Sequence, residues 1–184
     1  MNKQDAQEYL RFLDLKLLER QISDEELSLL QTCLMHVDEE IMSAAALIIS
    51  ELELENLLII LNHFNDFSDK AKRVLSAFLM SSEQMEVYRF FFSYLQTCTD
   101  LGMKEYLIIC LQKTQYFIFP MLVSRLDDAE GDFLETLKKI LRKKGINYSR
   151  PFLSMYPQIP NEAIFREIFG DESIDSIKSD RALL

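Results

Sequence analysis

Few residues in this chain of 184 have side chains suited to catalysis or metal binding, and their spacing decides what they can do. His36 and His63 are the only histidines. They are far apart in sequence, and neither belongs to a four-ligand zinc pattern, so no zinc motif forms. Cys33, Cys98 and Cys110 are an odd set without CxxC spacing. Cys33 and Cys110 lie in apolar helical stretches and Cys98 just after one, which reads as buried, reduced thiols of a cytosolic protein. No Gly-rich loop ends in Lys-Ser or Lys-Thr to cradle phosphate, and no GxSxG elbow presents a nucleophile. Asp127, Asp128, Glu130 and Asp132 in "RLDDAEGDF" could attract a cation, but calcium-loop spacing is missing and helix capping fits them better. The run "LKKILRKK" (137–144) could touch phosphate. At the end of a predicted helix it instead complements the negative dipole end, with Gly145 in the left-handed position after it and Ile146 folding back on the last turn. No set of residues builds a catalytic centre, and no cofactor or metal is expected.

What remains is surface. Residues 1–55 hold 13 acids against 4 bases, and the rest of the chain is close to balanced until a second, smaller acidic excess after residue 150. Such a field repels phosphate backbones, which argues against nucleic acid as a partner. It attracts a basic protein surface and speeds encounter with it. The bland alternative is a solvated acidic face that keeps the protein soluble. Asp24, Glu25, Glu39, Glu40, Glu51 and Glu55 are the candidate docking carboxylates, bounded on one side by Lys70, Lys72 and Arg73. The aromatic run "YRFFFSYL" (88–95) is more apolar than one helix face requires. Most of it is expected in the core, with Tyr88, Phe92 and Tyr94 as candidates to line a groove.

These residues must be placed by helices. Gly and Pro are scarce, at 4 each, and residues suited to helices dominate. No run of about 18 uncharged apolar residues exists, so no membrane span is expected. The first residues, "MNKQDAQEYLRFLD", carry charges where a signal peptide would be apolar, so the expected location is cytoplasmic. Helical periodicity runs to Lys144, with breaks near 21–23, 36–37, 51–53, 65–68, 81–82, 97–99, 113–114 and 127–128. Ser23 with Glu26 fits a capping box.

Four segments share a pattern: "DEEIMSAAALII" from Asp38, "SDKAKRVLSAFL" from Ser68, "DLGMKEYLIICL" from Asp100 and "EGDFLETLKKIL" from Glu130. Their starts are 30, 32 and 30 residues apart. Positions 4, 8, 11 and 12 are apolar in each and lie on one side of a helix. Each follows another apolar helix, at 24–35, 55–64, 84–96 and 115–126. The unit is a helix pair repeated four times. The first pair, "ELSLLQTCLMHVDEEIMSAAALIISEL", resembles a HEAT-like repeat of the short type, also seen in armadillo-like solenoids. Asp38, Ile41, Ala44 and Ala45 match that family's second helix. Met42 replaces its usual base, whereas Lys72 and Lys104 keep it in later units. The large Leu75, Leu107 and Leu137 and the missing glycines between repeats depart from the pattern. The resemblance covers about residues 24–144 and is specific in the first unit.

The resemblance implies an all-α, right-handed α-solenoid of about four HEAT-like helix pairs with helical caps at both ends. Residues 1–22 would form an N-terminal capping helix with Tyr9, Phe12, Leu13 and Leu17 on its apolar face. Residues 23–145 would be the repeat domain. Residues 146–184 would hold an irregular link with Pro151, Pro157 and Pro160, a short helix from Asn161 to Gly170 and a tail. That helix, with Ile164, Phe165, Ile168 and Phe169 on one side, either caps the core or docks on a partner. Pro120 would kink the first helix of the fourth pair or break it. The expected function is a non-catalytic protein-binding scaffold or adaptor whose partner has a basic surface. An immunity- or inhibitor-type protein neutralising a basic partner is the alternative, or a lyase-like enzyme on the same fold. A base-excision glycosylase, also known on this fold, conflicts with the charge.

Overall fold

A computed structural model of the chain describes residues 1–17, 22–81, 84–114 and 118–181. The regular secondary structure among the described residues is all helical, with no strand. The twelve helices among them are α1 (Lys3–Leu17), α2 (Asp24–Leu34), α3 (Glu39–Ser50), α4 (Leu54–Asn62), α5 (Asp69–Leu79), α6 (Met85–Thr97), α7 (Leu101–Lys113), α8 (Phe119–Leu126), α9 (Gly131–Lys144), α10 (Ile146–Leu153), α11 (Glu162–Phe169) and α12 (Asp171–Arg181). They form two compact units, residues 1–91 and 92–184.

Local chemistry starts several helices. Ser23 and Glu26 make the expected capping box, with the Ser23 amide donating to Glu26 Oε2 at 2.8 Å. Asp38, Ser68 and Asp100 each accept an amide of the first turn of α3, α5 and α7. Such caps satisfy donors that no intrahelical carbonyl can reach, and each is typically worth about 1 kcal/mol in proteins.

In the first unit α3 is central, packing against α1, α2, α4 and α5. A helix with neighbours on so many sides cannot be large all round. Ala45 and Ala46 have no solvent exposure, while Ile41, Met42, Ile48 and Ile49 fill the space beside them. Two of the three consecutive alanines, Ala45 and Ala46, therefore let other helices approach the α3 backbone. Among the described side chains of α1 the buried ones are Ala6, Leu10 and Leu13, and Tyr9 is half-buried with its hydroxyl donating to the Glu26 carbonyl at 2.6 Å. Phe12, expected on the packed face, is half exposed, because the buried stripe runs through 6, 10 and 13. The side chain of Leu17 lies outside the described residues. Phe64, Phe90 and Phe91 meet edge to face at 5.3–5.8 Å and close this unit's aromatic cluster.

In the second unit α9 takes the central place, against α7, α8, α10 and α11. Pro120 is the second residue of α8, where its missing amide costs nothing. The reading of a break and a short helix therefore replaces that of a kinked longer one, and residues 115–117 lie outside the described ones. Residues 146–153, expected to be irregular, form α10 despite Pro151. The proline sits late in a short helix and forgoes one bond, while Tyr148 and Leu153 are buried. Phe119 stacks on Phe152 at 4.8 Å and on Phe165 at 6.1 Å. Phe165 and Ile168 are buried, and α11 lies on α9. The expected tail is helix α12, with Ile174 and Ile177 buried. Arg166 holds it by ion pairs to Asp171 at 3.0 Å and Asp175 at 2.6 Å. Asn161, at φ 50°, does not cap α11 through its side chain; its amide instead donates to Asp127 at 2.7 Å.

Positions 4, 8 and 12 of the four patterned segments are buried in α3, α5, α7 and α9 alike. Position 11 is buried in α3 (Ile48) and α9 (Ile140), whereas Phe78 and Cys110 are half-buried.

Candidate protein-binding surface

All six candidate carboxylates, Asp24, Glu25, Glu39, Glu40, Glu51 and Glu55, are solvent-exposed. They belong to a stretch, residues 21–69, that contains 11 acids and no Lys or Arg. Bases must reach it from elsewhere in the chain, and among the described residues Lys70 and Lys3 are two that do. Lys70 on α5 pairs with Glu39. Lys3 on α1 lies 2.6 Å from Asp38 and 3.2 Å from Glu40. The bounding base Lys70 is thus drawn into the acidic face itself. No cation among the described residues pairs with Asp24, Glu25, Glu51 or Glu55. The sequence places these acids on one stretch of chain; the pairing depends on the fold bringing α1 and α5 to α3.

The aromatic candidates divide differently. Tyr88 and Phe92 are buried, and the Tyr88 hydroxyl donates to the Met80 carbonyl at 2.8 Å. Neither lines a surface groove, since each is enclosed. Tyr94 is half-buried and is the only one of the three to reach solvent.

Two surface features were not singled out from the sequence. One is an open groove of about 340 Å³ between α1 and α3. Leu10, Ile41, Ala44, Leu47 and Ile48 form its apolar part, and Arg11, Asp14 and Glu40 stand at its polar edge. The other is a set of exposed aliphatic residues on α2 and α4: Leu29, Leu54, Leu58 and Ile59. The signal for the latter is in "LENLLIILN", whose six aliphatic residues in nine exceed what one buried face can hold.

The residues suited to chemistry are occupied structurally. Cys33 is buried, which pushes its thiol up to about 11 and makes it unreactive. Cys98 and Cys110 are half-buried rather than fully enclosed, as expected for core thiols, and all three cysteines are free. The His36 ring accepts the Asp38 amide at 3.1 Å, and His63 faces Asp66 at 3.2 Å. Among the described residues no three His, Cys, Asp or Glu side chains converge on a metal position. Glu130 stands at the start of α9 without a side-chain capping bond, so the acids before that helix do not cap it as expected.

The basic run on α9 is largely committed within its own unit. Lys138 is buried between Glu135 and Glu167, 3.0 and 2.8 Å away, and these partners raise its pKa. Lys139 pairs with Glu105 at 2.8 Å. The Lys144 ammonium donates to the Thr114 carbonyl at 2.7 Å, beyond the end of α7, and lies 4.4 Å from the centre of the Tyr148 ring. Burial pushes Lys144 down to about 8.

No protein-family model, curated protein or solved structure matches this chain. No helix among the described residues is long and apolar enough to cross a membrane.

Proposed function

We propose that this chain is a non-catalytic protein-binding module: a short α-solenoid of HEAT-like helix pairs whose acidic N-terminal surface holds a protein with a basic face. One observation carries the reading. Four exposed carboxylates, Asp24, Glu25, Glu51 and Glu55, meet no cation among the described residues, within a stretch of chain that has no Lys or Arg. Unpaired surface charge of one sign raises the association rate with the opposite sign and rejects like-charged partners. Helices α3, α5, α7 and α9, buried at positions 4, 8 and 12, support the repeat as the frame that presents this surface.

The test is affinity purification on the immobilised protein at low and moderate salt, followed by binding measurements with each purified candidate. A basic protein that associates several-fold more slowly as salt rises supports the reading. Partners that are acidic, or association rates that do not depend on salt, overturn it.

A further inference from the structure

The candidate carboxylates differ in what already faces them. Glu39 and Glu40 are met by Lys70 and Lys3 of the same chain, so a partner's cations would have to displace those lysines. Asp24, Glu25, Glu51 and Glu55 have no such competitor among the described residues. These four lie on α2, on α4 and at the turn between α3 and α4, and α2 packs against α4.

The same two helices carry aliphatic side chains in solvent: Leu29 is 42% exposed, Leu54 37%, Leu58 40% and Ile59 38%. Glu25 lies one helical turn before Leu29, and Glu55 one turn before Leu58 and Ile59. We propose that the outer faces of α2 and α4 dock an amphipathic helix of a partner protein. Its apolar ridge would cover Leu29, Leu54, Leu58 and Ile59, and its flanking lysines and arginines would meet Glu25, Glu51 and Glu55. This rests on the reading of an acidic docking module and names the site and the shape of what it takes.

The occupant follows from which recognition modes the surface can support. An added strand needs an open sheet edge, and no strand occurs among the described residues. A polyproline segment needs an aromatic-lined groove, whereas the exposed large residues here are aliphatic. A phosphorylated motif needs an arginine cluster and would meet carboxylates instead. A helix brings its own satisfied backbone and presents side chains at the spacing of Leu54 and Leu58, which suits a surface whose backbone bonds are already internal. A second copy of this face would bring the same acids and repel itself, and an anionic membrane would be repelled likewise.

The probe is a fluorescent helical peptide of about 18 residues, long enough to span roughly 27 Å. It carries Leu at i, i+3, i+4 and i+7 with Lys and Arg flanking that stripe. Its control is a scrambled peptide of identical composition. Anisotropy titrations at low salt and at about 0.3 M salt should show the amphipathic peptide binding at least about tenfold tighter than the scrambled one. Leu58→Asp, and separately the milder Leu29→Ala with Leu58→Ala, should remove that preference while circular dichroism and melting show a folded protein. Glu25→Lys with Glu55→Lys should weaken binding by about tenfold or more at low salt, and Glu39→Gln with Glu40→Gln by no more than roughly twofold.

Equal binding of the two peptides, with salt dependence retained, would overturn the helix-docking site and leave the acidic module standing. No binding of either peptide at low salt would overturn both. A larger loss from the Glu39 and Glu40 pair than from Glu25 and Glu55 would overturn the placement. So would sedimentation showing a dimer that Leu58→Asp dissolves, because a second copy would then cover the face.

Discussion

The Lys3 ammonium lies 2.6 Å from Oδ2 of Asp38, while Oδ1 of the same carboxylate accepts the Glu40 amide at 3.0 Å. One side chain therefore starts α3 and ties α1 to it. The Lys3 ammonium, the largest influence, holds the Asp38 carboxyl below its ordinary range. Asp38→Asn keeps an acceptor for the amide and loses the charge; Asp38→Ala loses both. Melting temperature should fall in the order wild type, Asn, Ala. A group with a lowered folded pKa contributes fully above its unfolded value, about 3.9 for Asp, and loses that contribution as pH falls through the folded one. The gap between wild type and Asp38→Asn should therefore close on acidification below about pH 4. Equal melting of all three proteins at neutral pH would show that the carboxylate does neither task.

Ala45 has no exposed surface on the central helix of its unit, whereas the neighbouring Ala44 lines the groove beside α1. Ala45→Leu should overpack that contact and lower stability in urea unfolding by about 1–3 kcal/mol. Ala44→Leu points into open space and should change stability by less than about 0.5 kcal/mol. Similar losses from both would mean that close approach of helices is not what the alanines provide.

Phe165 is fully buried, with its ring stacked between Phe119 and Phe169 at 6.1 Å from each. If α11 is a cover for its unit, Phe165→Ala should cost about 3–5 kcal/mol. If residues 161–169 were a detachable docking arm, unfolding would barely change. Urea titration of wild type and variant separates the two.

Lys144 titrates near 8 because burial disfavours its charged form. Between about pH 8 and the ordinary lysine value of about 10.4 the unfolded chain binds more protons than the folded one. The burden of the buried charge is present below that window and lifts as pH rises through it. The stability of wild type relative to Lys144→Met should therefore increase from about pH 8 to about pH 10. A difference that stays constant across this range would show that the amine titrates as it does in water.

The 3.6-residue apolar period marked the bodies of most helices up to Lys144, and for α2, α3, α5 and α7 the caps Ser23, Asp38, Ser68 and Asp100 independently marked the starts. Beyond Gly145 the signals conflict. Pro151 reads as a breaker, and "DESIDSIKSDR" has only Ile174 and Ile177 to bury, so α10 and α12 depend on neighbours that the local sequence does not name. Arg166 reaching Asp171 and Asp175 is such a neighbour. The acidic surface was legible as composition, but the cations that occupy it were not. Lys3 is 37 residues away in sequence from the Glu40 it meets in space, and Lys70 is 31 from its partner Glu39. Reversing Glu39 and Glu40 to Lys, the natural test of the acidic face from sequence alone, would set lysine against lysine and disturb α1 and α5 as well as any partner.

Gly145 joins α9 to α10, and Gly170 joins α11 to α12, each as the single residue between two helices. Both have positive φ with extended ψ, 82° and 169° at the first and 85° and 155° at the second, a region essentially reserved for glycine. A protease needs several consecutive residues in an unwound, accessible strand, and neither joint offers them. The same shortness makes both junctions poor sites for tags, reporter insertions or new chain ends. In this part of the protein an engineer would turn to the stretch 154–161, where the chain leaves helix for eight residues.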